Sequence, residues 1–297
     1  MVISANIQKP ANLLRLEIEK VLAQFRTGIH RSVIASHGME FKMVRPYDAS
    51  DSPSVIDYMV SARVSEEPEL QPMSRVYYTE KEISVVVVID AGKTMSVPAR
   101  KIEQMVTIFW LFALSTFKYH DRFRVISFSD EHTRDSDWIR DEGTLEDYVM
   151  HESLDIDNTA NSRYGNVFSY LAELEMRDMV LVVISDFAAA WNTQPEMLRR
   201  LGIVENNIKM IIFALDEWSD VRPHPYGIRF FDPKNNELVF EDMLADGDLS
   251  IRARAAAAHL KQIEQSIAPL SGICIKIPLL ADPLVVARKE FTRMGFL

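Results

Sequence analysis

The chain has 297 residues, 47% hydrophobic and 26% charged, with a formal net charge of −10 from 33 Lys and Arg against 43 Asp and Glu. That length suits one large domain or a core with an appendage, and the composition is that of an ordinary globular protein able to bury a core. The acidic balance works against a polyanion such as nucleic acid as the main partner.

Met1 to Pro10 shows no basic segment followed by an apolar one, so no secretory leader is expected. From Asn12 to Phe25, Leu13, Leu14, Leu16, Ile18, Val21, Leu22 and Phe25 recur at helical spacing, predicting an amphipathic helix closed by Gly28. Ile29 to Tyr78 has little periodicity and several prolines, with room for a helix between Asp51 and Arg63 after Pro53. We read residues 1–80 as an N-terminal helix with an irregular appendage, and 81–297 as the core domain.

In that core, short β-branched runs alternate with helical patterns. Ile83 to Ile89, Phe123 to Phe128, Met179 to Ile184, Ile208 to Leu215 and Ile273 to Ile277 are nearly continuous in apolar residues, as in parallel strands covered on both faces. Helices are predicted at Ala99 to Tyr119, Val167 to Arg177, Gln194 to Leu201, Leu249 to Leu270 and Pro283 to Arg293, the first four as crossovers. Ile228 to Phe231 and Glu237 to Phe240 flank a turn-forming Asp232 to Asn236 and predict a β-hairpin. The expected fold is a doubly wound, mostly parallel α/β sheet of Rossmann type. The longest apolar stretch, Met105 to Phe117, is roughly 13 residues against the ~20 a bilayer span needs, so it is expected to be a buried helix. A single cysteine, Cys274, has no disulfide partner in the chain, and a reducing, cytoplasmic setting is expected. Its neighbours Ile273, Ile275 and Ile277 mark it as a strand thiol rather than a nucleophile.

The ten glycines never stand close together, so no GxGxxG, Walker A or GxSxG sequence is present. Each of those motifs needs paired glycines to bring backbone near a phosphate or to strain a nucleophile turn. Gly92-Lys93-Thr94 has the look of a Walker A tail, but the earlier glycine would fall on Val87, inside a strand. A dehalogenase-type phosphotransferase with Asp90 as nucleophile needs a second acid where Gly92 stands.

In an open parallel sheet, ligands bind beyond the carboxyl ends of the strands. Asp90, Asp130, Asp186 and Asp216 each follow an apolar run and gather there, either as ligands of a divalent cation or as helix N-caps. The pattern around Asp90 resembles a von Willebrand factor A domain, whose metal-ion-dependent adhesion site uses an Asp-x-Ser-x-Ser loop, a Thr in a second loop and an Asp after the fourth strand. Arg45-Pro46-Tyr47-Asp48-Ala49-Ser50-Asp51-Ser52-Pro53-Ser54-Val55-Ile56-Asp57-Tyr58, followed by Ala62-Arg63, resembles the bacterial family of domain of unknown function fifty-eight. In that family an Arg-x-Tyr-x-x-Gly-Asp-Asp-x-Arg-x-Ile-Asp-Trp segment ending in Ala-Arg precedes a von Willebrand type core. Arg45, Tyr47, Asp51, Ile56, Asp57, Ala62 and Arg63 keep the pattern, whereas Ser50, Ser52, Ser54 and Tyr58 depart from it. Ile184-Ser185-Asp186-Phe187 and Phe230-Phe231-Asp232-Pro233 also look like family sequence.

The resemblance implies an adhesion site at Asp90, Thr94 and Asp186, degenerate because Gly92 lacks a hydroxyl and the second-loop Thr falls on Gly165 or Asn166. Two carboxylates and one hydroxyl would hold Mg2+ or Mn2+ weakly or not at all. The competing possibility is a metal-free rim on which Lys93 supplies the positive charge. A partner-binding face of Asp90, Lys93, Asp130, Asn166 and Asp186 follows. Asp57 and Arg63, six apart and opposite in charge, are expected to pair and dock the appendage on the sheet. The resemblance further implies a non-catalytic interaction module working beside a MoxR-type AAA+ ATPase and a client protein. The alternative is a divalent-metal hydrolase or phosphotransferase using Asp90, Asp130 and Asp186.

Overall fold

A computed structural model describes residues 18, 41–48, 53–64, 72–77, 83–151, 160–174, 177–188, 191, 195–204, 206–216, 228–232, 237–241 and 246–293. They fall into two compact units, one within 30–82 and one from residue 83 onward that also takes in Ile18. Of the predicted N-terminal helix only Ile18 is described; it is helical and fully buried.

The smaller unit pairs β1 (Phe41–Pro46) antiparallel with β2 (Met73–Tyr77), followed in chain order after β1 by a short 3-10 turn at Pro53–Val55 and helix α1 (Tyr58–Val64). The predicted helix between Asp51 and Arg63 is thus confined to its second half. Asp57 explains where it starts. Its Oδ1 accepts from the backbone N–H groups of Met59 at 3.0 Å and Val60 at 3.1 Å, an N-cap that satisfies two otherwise orphaned donors. Its Oδ2 accepts from Arg75 Nε on β2. The Val60 N–H first, and the Arg75 guanidinium with it, outweigh burial and hold this carboxyl below the usual carboxylate range. The expected Asp57–Arg63 pair is therefore corrected: Arg75 is the partner, and Arg63 lies exposed on α1. A cross-strand position brings a guanidinium closer to a helix cap than a residue six further along the same helix. Ser61 completes the anchor, donating to Asp57 O at 2.7 Å and accepting from Met73 N at 2.8 Å. Arg45 and Tyr47 lie on and just beyond β1, while Asp51 is outside the described residues.

The larger unit is built on β3 (Ser84–Asp90), β4 (Arg122–Phe128), β5 (Thr133–Asp135), β6 (Met179–Ser185) and β7 (Ile208–Asp216). A separate hairpin of β8 (Ile228–Asp232) and β9 (Glu237–Glu241) precedes the last strand, β10 (Ile273–Pro278). The sheet order is β10-β7-β6-β3-β4-β5, parallel throughout except for the antiparallel edge strand β5. Counting only those six strands along the chain, this is the doubly wound order 3-2-1-4-5-6. Every residue of β3 and β6 is buried, which is why both read as unbroken apolar runs.

Crossovers cover both faces. Helices α2 (Ala99–Lys118), α3 (Glu142–His151), α4 (Tyr164–Glu173), α5 (Pro195–Arg200), α6 (Asp246–Ile267) and α7 (Pro283–Arg293) complete the unit among the described residues. Val86 and Val88 of β3 join Val167, Phe168 and Leu171 of α4 and Leu260 and Ile263 of α6 in one buried cluster. On α2, Phe109 packs edge-on against Phe123 at 5.7 Å and Phe112 against Phe213 at 5.7 Å, and Phe213 meets Phe291 of α7. Met105 to Phe117 thus lies within a helix packed on the sheet, and no described helix is long and apolar enough to cross a membrane. The short α3 and β5 were not legible in the apolar pattern. Cys274 sits on β10, where burial first and Glu264 second push its thiol up to about 12, leaving it almost without thiolate at neutral pH.

Candidate functional site at the carboxyl rim of the sheet

The strand order reverses between β3 and β6, and adjacent crossovers leave the sheet in opposite directions there. Such a switch point opens a crevice at the carboxyl ends of the strands. The register Ile89↔Ile184 places Asp90 at the end of β3 beside Ser185 at the end of β6, with Asp186 one residue further on. Two carboxylates expected from sequence are thereby brought together by the parallel pairing alone.

Asp90 is fully buried, and both of its oxygens are occupied. Oδ1 accepts from Gly92 N at 2.9 Å and from Ser162 Oγ at 2.6 Å. Oδ2 accepts from Ser185 Oγ at 2.6 Å and from Tyr164 OH at 3.4 Å. Burial first, and the nearby Asp186 charge second, raise this carboxyl to about 6 in spite of those donors. The hydroxyls suit either state, since each can turn to accept a proton as well as donate one. Beside them Tyr164 stacks on Phe187 at 5.3 Å and packs against Trp191 at 5.3 Å, a buried aromatic cluster. Phe187 is held at φ 51°, a left-handed conformation costly for a bulky residue, and its N–H is tied to Ser185 Oγ at 2.9 Å.

Asp186 has its own partners. Oδ1 accepts from Thr94 Oγ1 at 3.2 Å and from Ala188 N at 2.9 Å, and Oδ2 from Lys101 Nζ at 2.8 Å. Lys101 also donates to Thr94 O at 3.1 Å. The side chains of Lys101 and Asp186 are both only 2% exposed. Lys101 stands in the first turn of α2, where the helix dipole disfavours a cation; its carboxylate partner supplies the compensation.

The remaining predicted residues lie around this buried centre. Asp130 Oδ1 accepts from Asn161 N at 2.9 Å, its own N–H donates to Asn161 O, and Asn166 Nδ2 reaches Asp130 O at 3.5 Å. Lys93 N donates to Ala160 O at 2.9 Å. The loops after β3 and β4 are thus stitched to the segment 160–163 that leads into α4. Asn166 is exposed, and Asp130 and Lys93 are half-buried. Of the five residues expected to touch a partner, Asn166 reaches the surface and Lys93 and Asp130 reach it in part. The carboxylates of Asp90 and Asp186 are buried, and their hydrogen bonds hold the loops in place.

Sequence reasoning missed Lys101, Ser162, Tyr164 and Ser185. The absent hydroxyl at Gly92 has a structural reason: a Cβ there would stand 2.2 Å from Ser162 Oγ. Ser162, three to four residues before the predicted Thr position, supplies the second-loop hydroxyl to Asp90. Lys101 carried a signal that went unused, since it shares a helix face with Gln104, Met105 and Ile108, all buried.

A divalent cation does not fit this donor set. Asp186 is already neutralised by an ammonium, both Asp90 oxygens are filled by protein donors, and residue 92 offers no ligand. Among the described residues no group of three or more His, Cys, Asp or Glu is arranged to hold a metal.

Residues 43–265 match the family model described as protein of unknown function DUF58. No curated protein matches the chain. Solved structures similar to it include the VWA domain of SpRpn10, at 11% identity and TM-score 0.42, covering 73% of this chain and 98% of that one. The conserved hypothetical protein BatB from Bacteroides thetaiotaomicron is similar at 11% identity and TM-score 0.45, covering 71% and 98%. A von Willebrand factor type A protein from Catenulispora acidiphila is similar at 12% identity and TM-score 0.42, covering 74% and 43%.

Proposed function

The chain belongs to the DUF58 family, and we propose that it is a non-catalytic adaptor that recognises another protein at the carboxyl rim of its sheet. A von Willebrand-like α/β fold suits an interaction domain, and the observation that carries this reading is the construction of the rim. Three loops are locked together by backbone hydrogen bonds and presented on two buried carboxylates, so Lys93, Asp130 and Asn166 stand on a rigid, mixed-charge platform. Preorganised surface loops lower the ordering cost of association. The alternative, phosphoryl or hydrolytic chemistry at the Asp90, Asp130 and Asp186 rim, meets an obstacle in the same geometry. Asp90 is sealed from solvent with both oxygens engaged, a poor position for a nucleophile or a metal ligand.

The partner we propose is a MoxR-type AAA+ ATPase, with the chain presenting a client to it, as the family resemblance implies. The test is co-purification from the native host of the tagged full-length chain and of an Asp130→Arg, Asn166→Arg double variant, with circular dichroism as the control for folding. A MoxR-type ATPase should accompany the wild type and fall by about tenfold or more with the variant. Equal recovery from both proteins would move the interface elsewhere. Absence of any AAA+ ATPase from both would remove that partner.

A further inference from the structure

We propose that Lys101 Nζ is the built-in cation of this site: an ammonium fixed on α2 balances Asp186 where related adhesion sites use a divalent metal, and the rim works without one. The inference takes the rim as the recognition surface, as above, but concerns what holds it in shape.

Four observations support it. Lys101 Nζ lies 2.8 Å from Asp186 Oδ2 and 3.1 Å from Thr94 O, so one ammonium joins the β3 loop to the β6 loop, the two segments a bridging metal would join. The pair is almost wholly buried, with both side chains 2% exposed, so bulk water screens it little. Thr94 Oγ1 donates to Asp186 Oδ1 at 3.2 Å, so that carboxylate is satisfied by a hydroxyl as well as by the ammonium. Finally, the place where an adhesion-site serine would add a ligand is closed by Ser162 Oγ, 2.2 Å from the Gly92 Cβ position.

An ammonium differs from a metal in one functional respect. Mg2+ keeps open positions that a partner carboxylate can fill, whereas a lysine brings three donors and no vacant coordination site. A partner therefore has nothing to ligate in this centre, and recognition falls to the surface side chains above it.

Three proteins test the idea: wild type, Lys101→Ser, and a Lys101→Met, Asp186→Asn double variant that removes both charges. Each full-length chain is titrated with Mn2+, followed by the electron spin resonance of free Mn2+ and by Tm. Wild type should show no saturable binding and no Mn2+-dependent rise in Tm. Lys101→Ser leaves Asp186 without a counter-charge, so Tm should drop by about 10 °C. The vacated space should then bind Mn2+ at least about tenfold more tightly than wild type, with recovery of part of the lost Tm. The double variant should fold with a Tm closer to wild type than that of Lys101→Ser, and should ignore Mn2+.

Saturable Mn2+ binding to wild type that disappears in Asp186→Asn would overturn the proposal, as would a folded Lys101→Ser that gains no Mn2+ affinity. If Lys101→Ser does not fold, the double variant decides: a folded double variant supports a matched charge pair, and an unfolded one overturns it. Because the readout is the metal, failure of ATPase co-purification leaves this result standing, and the reverse also holds.

Discussion

Gly92 and Ser162 compete for the same space. A side chain at 92 would press its Cβ to 2.2 Å from Ser162 Oγ, 3.0 Å from Ser162 N and 3.1 Å from Asp90 Oδ1, so the Ser162 hydroxyl would have to turn away from Asp90. Gly92→Ser, the substitution that restores the hydroxyl of the adhesion-site pattern, should therefore lower stability, by about 2 kcal/mol. Ser162→Ala removes the hydroxyl in the way but leaves one Asp90 oxygen short of a donor, costing about 1–2 kcal/mol. Combined, the new serine can take over Asp90, so the double variant should be more stable than the sum of the two losses. Urea unfolding of the four proteins measures that coupling, and strict additivity would mean the two positions do not share one space.

At the level of elements, the antiparallel edge strand β5 depends on one ionic fork. Arg124 on β4 donates through Nε to Asp135 Oδ1 at 2.7 Å and through Nη2 to Oδ2 at 2.5 Å, and Tyr170 OH of α4 adds a bond to Oδ2 at 2.6 Å. Trp138 packs under the same guanidinium, 5.4 Å from ring centre to Cζ. Burial acts to raise the Asp135 carboxyl, but the bonds from Arg124 and Tyr170 outweigh it and hold it below the usual range. A carboxyl whose folded pKa lies below its unfolded value contributes stability in full above about pH 4, and loses it as pH falls through the folded value. Arg124→Met should cost about 2–3 kcal/mol at neutral pH, and its deficit relative to wild type should shrink in acid. Chemical unfolding at neutral and acidic pH checks this; a deficit that grows in acid would contradict the fork. The edge strand itself was invisible in the sequence because Thr133 to Asp135 carries no apolar alternation, and only the pairing with β4 makes it a strand.

For the whole molecule, Ile18 marks how the larger unit is assembled. It groups with residues 83 onward and is fully buried, although some sixty residues of sequence separate it from that unit. Ile18→Ala should therefore behave as a core truncation, costing about 2–4 kcal/mol, while Leu280→Ala, at a position 76% exposed, should cost almost nothing. Thermal unfolding of both variants provides the comparison. The runs of β3, β4, β6 and β7, the edge run of β10, the four crossovers, the hairpin and the final helix were all readable from sequence, because an inner parallel strand buried on both faces must be apolar along its length and the helix after it must show period 3.6; β10, at the edge and half-buried, kept enough isoleucine to read as a strand as well. The position of Asp90 and Asp186 followed from the same rule, since a doubly wound sheet ends its central strands at one rim. The partners of those aspartates were a different matter. The pairing of Asp186 with Lys101, of Asp90 with Ser162, and of Asp57 with Arg75 instead of Arg63, was decided by approach in space. Hydrophobic periodicity determines which way a segment faces, but a charge or hydroxyl chooses its partner by distance, and that distance exists only after loops from remote stretches of chain have packed over the sheet.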